Sequence, residues 1–389
     1  MSGTGTKRIL AIDACRGMAI LLMCVAHIAQ VASGLDPAVS RVVNSASFLA
    51  TPIFLLLSGI STGYVLRTEA SPLSRIRLVD RAVFLLLVVH PLISACMVPY
   101  DNQGWARAML STWVTDAVAL ALCIAAFVPR AGARALISSG VVLTTSGWLI
   151  AQWWKPESSL TESLARLIFR GGGSLPSPLG FTVPLLPYIG IFLIGFGVAR
   201  AYRPFLEGRL RKHLPLVVGM GLAAMSGLML MKGLLRMAKG ELSADQYGLL
   251  FLAIDPRMKD LAAPGYVIFG SGAVAVMLST CLWCQATNRF ERAFQWLATL
   301  GRASMVVFVL QAFTILCLPR ILHFHSISSG AFWTVYLLIN VGMLWLAARA
   351  WGGCGGNRWL TVGMPHWAEK YASHEPVGDG RSAFRRAGA

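Results

Sequence analysis

Apolar runs of about twenty residues, the length that crosses a hydrocarbon core as a helix, recur along this chain and limit its fold more strictly than any other feature. Inside a bilayer every backbone N–H and C=O must be satisfied within the protein, so runs of this kind become helices. About ten spans are predicted, at 9–32, 46–66, 82–98, 108–128, 135–153, 184–200, 214–231, 264–285, 296–318 and 331–350. The chain is 56% hydrophobic and 13% charged, with a mean hydropathy of +0.64, and no stretch reads as a second, soluble domain. The expected architecture is an all-α polytopic transmembrane helical bundle over residues 1–350. A flexible basic tail over 351–389 follows the glycine-rich stretch at 352–356 and rests on anionic lipid headgroups.

A formal charge of +17 raises the question of nucleic acid. The lysines and arginines are distributed by loop, however, and form no dense basic stripe interleaved with aromatics, so nucleic-acid binding is excluded. With the N-terminus in the cytoplasm, the cytoplasmic segments carry roughly twice the lysine and arginine of the opposite side. Both termini are therefore expected in the cytoplasm, in a multi-pass protein of the cell (inner) membrane, with the long segments 154–183 and 232–263 outside. Five of the eight cysteines, Cys15, Cys24, Cys123, Cys281 and Cys317, lie in apolar stretches and read as small hydrophobes or idle thiols. No Cys-x-x-Cys has a matching His or Cys pair, so no metal site is expected.

Ionisable residues inside a span are costly unless they face a bundle interior, a partner or water, which makes them candidates for function. The first span holds Asp13, Arg16 and His27. Arg16 and His27 are eleven residues apart, which places them on one helical face and ~16 Å from each other. Asp13 lies one turn before Arg16 and is placed to pair with it. The plainer readings are an arginine snorkelling to the headgroups and a core histidine with a hydroxyl partner. The second span carries the small residues Ser58, Gly59 and Gly63, which suit close helix packing. The loop after it holds Arg77 and Arg81, explained equally by topology and by phosphate binding, since guanidinium forks match phosphate oxygens.

Together these residues resemble the acyltransferase 3 family, within the wider transmembrane acyltransferase superfamily that also includes glucan succinyltransferases and heparan glucosaminide N-acetyltransferases. The resemblance rests on Ile12-Asp13-x-x-Arg16-Gly17-Met18-Ala19 with His27, on Phe54-x-x-x-Ser58-Gly59 and on the Arg77/Arg81 loop. Later echoes, at 184–195 (with Pro187-Tyr188-Ile189-Gly190) and at Leu300-Gly301-Arg302-Ala303-Ser304, look more like the heparan branch. That branch's loop histidine beside a Trp-Asn-Gly is absent. The tyrosine and histidine that usually follow the Leu-Gly-x-x-Ser stretch are Phe308 and Gln311 here, an altered contact.

The resemblance implies an acyl-CoA donor, acetyl-CoA or another, arriving from the cytoplasm as a substrate, with no permanently bound cofactor. It also implies a hydroxyl acceptor on a glycan, a lipid-linked sugar or a small molecule. On that reading Arg16, the cytoplasmic member of its pair, binds the donor, with Asp13, Ser58, Arg77 and Arg81 contributing to the donor or substrate site. His27, the deeper residue, either transfers the proton as a base or carries the acyl group as an acyl-histidine. The rival reading is a proton-coupled secondary transporter using Asp13, Arg16 and His27 as a relay.

Overall fold

The computed structural model describes residues 9–32, 48–66, 71–101, 104–171, 183–356 and 360–366. Most of the turn-rich run at 171–178 and the basic tail from 367 onward lie outside the described residues. In chain order the α-helices are α1 (Leu10–Val31), α2 (Ala50–Val65), α3 (Pro72–Phe84), α4 (His90–Asp101), α5 (Trp105–Met109), α6 (Val114–Phe127), α7 (Ala133–Trp153), α8 (Ser159–Ile168) and α9 (Leu185–Ala201). They continue as α10 (Arg203–Leu206), α11 (Leu214–Met237), α12 (Ala244–Ile254), α13 (Pro264–Thr287), α14 (Glu291–Arg302), α15 (Ser304–Gln311), α16 (Leu318–Ile321) and α17 (Gly330–Gly353). Single π-helical segments, Leu85–Val89 and Ala312–Cys317, join α3 to α4 and α15 to α16. No strand occurs among the described residues, and the protein is a polytopic helical membrane protein.

Among the described residues, seven stretches are long and apolar enough to cross a membrane: α1, Pro72–Pro99, α7, Arg211–Gly240, α13, Ser304–Ile321 and α17. The other three expected spans are α2, α6 and α9, of 16, 14 and 17 residues. At ~1.5 Å per residue these fall short of the ~30 Å hydrocarbon core. They are also among the most enclosed helices, with Ile53, Leu55 and Leu57 of α2 and Ile191, Phe192 and Phe196 of α9 wholly buried. Glycine makes that enclosure possible. A β-carbon at Gly59 would lie 2.1 Å from the Phe192 carbonyl oxygen, and one at Gly195 would lie 2.3 Å from that of Leu56. The α2 and α9 backbones therefore touch directly, as small residues allow between membrane helices. By contrast, α11 buries only Leu214, Gly221, Leu228 and Lys232 and turns Leu216, Met220, Leu230 and Leu234 outward. Such a surface would be costly in water and suits lipid.

Three boundaries differ from the sequence reading, and two long segments hold helices of their own. The span expected at 296–318 begins at Ser304, because the chain breaks at Ala303 after the separate amphipathic helix α14. Its polar face (Glu291, Arg292, Gln295, Thr299) and buried face (Phe294, Ala298, Leu300) share one run, so apolar content alone merged it with the next helix. The span at 108–128 begins at Val114, where Asp116 Oδ2 accepts from the Trp113 N–H at 2.7 Å and fixes the helix start. The span at 82–98 extends back to Pro72, capped by Ser71, whose hydroxyl accepts from the Ser74 N–H. Finally, the segments 154–183 and 232–263 carry α8 and α12, and are not simple loops. The second is locked by buried Asp255, which pairs with Lys232 of α11 at 2.8 Å and with Arg257 at 3.0 Å. Burial pushes the Asp255 carboxyl up, but the hydrogen bonds from Arg257 and Lys232 outweigh it and hold its pKa at about 2.

Candidate active site

Helix α1 is the axis of the site. The backbone N–H of Ala11 in its first turn donates to Gln285 Oε1 of α13 at 2.9 Å. Beyond that, Gly17 and Gly301 let α1 and α14 cross in backbone contact. A β-carbon at Gly301 would stand 1.7 Å from the Asp13 carbonyl oxygen, and one at Gly17 would stand 2.1 Å from that of Leu297. The crossing draws the C-terminal end of α14, and with it Arg302, toward Asp13 and Arg16.

Beside this crossing lies a cavity of about 450 Å³. Its wall takes Asp13 and Arg16 from α1, Ser58 and Ser61 from α2, Arg81 from α3, Thr115 from α6, and Arg302 and Ser304 from the α14–α15 corner. Three guanidinium groups face one carboxylate, so the space favours an anion. Arg16 Nη1 stands 3.9 Å from Asp13 Oδ1, a loose pair in which the arginine side chain is 21% exposed and the aspartate 4%. The arginine is thus the more exposed member of the pair. The Ser61 and Thr115 hydroxyls are buried on this wall without a hydrogen-bond partner. Leu360 of the C-terminal segment also contributes to the wall. That segment is held by buried Asp80, whose Oδ1 accepts from the backbone N–H groups of Val362 at 3.1 Å and Met364 at 3.0 Å.

His27 is not on that wall. Its Nδ1 lies 2.9 Å from Oε1 of Gln311, a residue with no exposed surface. An amide oxygen only accepts, so this orientation places the ring proton on Nδ1 and leaves the Nε2 lone pair for a base. Gln311 follows Phe308 by three residues on α15, and Phe308 stacks on Phe54 with 6.2 Å between ring centroids. Both rings line the cavity. Gln311 therefore stands about one helical turn beyond Phe308, off the cavity wall, and His27 is held there with it.

The structure thus brings Asp13, Arg16, Ser58 and Arg81 together, sets His27 apart with a partner of its own, and leaves Arg77 exposed and off the wall. It adds Arg302, Ser61 and Thr115 to the expected site. Arg302 stood in a motif noted in the sequence, whereas Thr115 carried no sequence signal. His90 is the other deeply placed histidine, and its geometry sets it apart from a base. Nδ1 lies 3.0 Å from the Asp116 carboxylate and Nε2 lies 2.9 Å from the Met109 carbonyl oxygen, so both nitrogens face acceptors and neither offers a lone pair. All eight cysteines are free. Among the described residues no cluster of three or more His, Cys, Asp or Glu is placed to hold a metal ion.

An all-helical membrane bundle with a basic internal cavity, and an imidazole oriented by one hydrogen bond further along the same helix, has the parts of a membrane group-transfer enzyme. The model of the family described as heparan-alpha-glucosaminide N-acetyltransferase, catalytic, matches residues 8–227, more than half of the chain, and the chain belongs to that family. This makes it a membrane acetyltransferase by family. The match is to the heparan side of the superfamily and not to acyltransferase 3. It spans Asp13, Arg16, His27, Ser58, Arg77 and Arg81, and ends before Arg302 and Gln311. No curated protein matches the chain.

Proposed function

We propose that the protein moves an acetyl, or another short acyl, group from acyl-CoA to a hydroxyl of a glycan or related acceptor. The observation that carries this reading is the cavity bearing Arg16, Arg81 and Arg302, with His27 further along the same helix as Arg16 and bonded to Gln311. The cavity volume is within the ~300–1,000 Å³ typical of small-molecule sites. Guanidinium forks suit the donor's phosphates, and the orphan hydroxyls of Ser61 and Thr115 suit the amide groups of its pantetheine arm. His27 Nε2 takes the proton of the acceptor hydroxyl as it attacks the thioester carbonyl, then returns it to the departing thiolate. A hydroxyl, unlike a neutral amine, gains most from such a base. The Arg16 end faces the cytoplasm, where the donor is made, and the acceptor approaches from the other side.

Purified wild-type protein incubated with acetyl-CoA, with water or an added glycan as acceptor, should release free thiol, and His27→Ala should abolish that release while inserting normally. The acylated product should be an ester, cleaved by alkaline hydroxylamine. A hydroxylamine-stable amide would reassign the acceptor to an amine, and activity of His27→Ala within threefold of wild type would remove His27 from the chemistry.

A further inference from the structure

Gln311 is wholly buried and only half used. Its Oε1 accepts from His27 Nδ1 at 2.9 Å, while its Nε2, which carries two N–H donors, has no hydrogen-bond partner. Leaving a carboxamide nitrogen unpaired in a protein interior costs ~1–3 kcal/mol, and such orphans call for an explanation. His27, against which the carboxamide is fixed, keeps part of its own surface open. The helix beyond Gln311 is locally unusual as well. The π-helical segment Ala312–Cys317 begins at the next residue, and π segments of this kind are frequent at functional sites.

We propose that Gln311 is a second catalytic residue, its Oε1 holding His27 in the Nδ1–H tautomer and its Nε2 donating to the oxyanion of the acyl-transfer intermediate. This rests on the acyltransferase reading above. The acceptor oxygen forms a bond to the thioester carbonyl carbon while its proton passes to His27 Nε2. The carbonyl π pair moves onto oxygen, where it meets the Gln311 N–H. As the C=O re-forms, the C–S bond breaks and the imidazolium proton passes to the coenzyme A thiolate, leaving ester and free thiol. One carboxamide thereby serves both charges that develop: its oxygen the imidazolium, its nitrogen the oxyanion. The donor is idle in the resting protein because its partner exists only during the reaction, which is how a preorganised oxyanion donor accelerates a reaction.

The test is the thiol-release assay with acetyl-CoA on full-length wild type, Gln311→Leu, Gln311→Glu and His27→Ala. Gln311→Leu should lower kcat by about 10²–10³-fold, the usual loss of an oxyanion donor, with the KM for acetyl-CoA changed less than threefold. Should Gln311→Leu fail to insert, the near-isosteric Gln311→Glu carries the test. It should lose a comparable factor and shift the acidic limb of its kcat–pH profile upward, because a carboxylate stabilises the imidazolium. The limb reports that residue 311 faces His27, and the loss of kcat at a nearly unchanged KM reports the missing donor. Turnover by either inserted variant within threefold of wild type, with His27→Ala inactive, would overturn the role of Gln311 alone. Wild-type protein that releases no thiol in a His27-dependent way would overturn the acyltransferase reading with it.

Discussion

The Arg16 cavity and the His27–Gln311 pair lie on one face of α1 and follow opposite electrostatic plans. The cavity collects cations: Arg16, Arg81 and Arg302 meet the single carboxylate of Asp13, in a space wide enough for a ligand. The pair carries no carboxylate and no guanidinium, and it is organised by one hydrogen bond, with Gln311 buried and His27 partly open. A region that binds a multiply charged coenzyme needs surplus charge and room. A base needs the reverse, a lone pair kept from competing donors and from water. The separation along α1 assigns binding to one end and proton transfer to the other, so substitutions at the two places should fail in different ways.

The largest effect sharpens that contrast. Arg16→Lys keeps the charge but loses the fork, and Arg302→Ala loses both. Each should raise the KM for acetyl-CoA by about 10- to 100-fold with a smaller change in kcat, the range expected for charge-assisted hydrogen bonds to phosphate. Arg77→Ala, at an exposed position off the cavity wall, should change the same KM less than threefold. Equal losses in Arg77→Ala and Arg302→Ala, read by initial-rate kinetics, would break the assignment of the donor site to the cavity.

A smaller effect lies outside both regions. Asp255, buried between Lys232 and Arg257, has its carboxyl held at about 2, below its ordinary value of 3.8. A carboxyl depressed in the folded protein contributes stability that is fully present above its ordinary value and is lost as the pH falls through about 2. Thermal unfolding in detergent should therefore weaken progressively between those values, and Asp255→Asn should flatten that dependence. At neutral pH Asp255→Asn should also lower stability by about 3 kcal/mol, because it leaves buried Lys232 unpaired. Its acetyl-CoA kinetics should stay near wild type.

Much of this was legible in the sequence, for physical reasons that differ by residue. Span positions follow from hydrocarbon thickness, and the helices appear where apolar runs occur. The exceptions, at Ala303 and Trp113, are places where an amphipathic helix or a capping carboxylate interrupts an apolar run without changing its composition. Arg16, Asp13 and His27 stand out because charge is costly in a span. Ser58 and Arg81 emerged through motif spacing, whereas Thr115 is one threonine among many until α6 packs against α3 and α9 and brings it to the cavity wall. Gln311 was visible only as a departure from an expected histidine. Its pairing with His27 spans 284 positions of chain, and no local pattern encodes a contact of that range.

The division of labour along α1 is tested most directly by measuring acetyl-CoA affinity and thiol release side by side in His27→Ala. Ligand-induced thermal stabilisation gives the first and a thiol-reactive dye the second. The account predicts an acetyl-CoA Kd within threefold of wild type and a rate lowered at least about 10²-fold, the low end for loss of a general base. Weakened donor binding in His27→Ala, or thiol release at the wild-type rate, would contradict it.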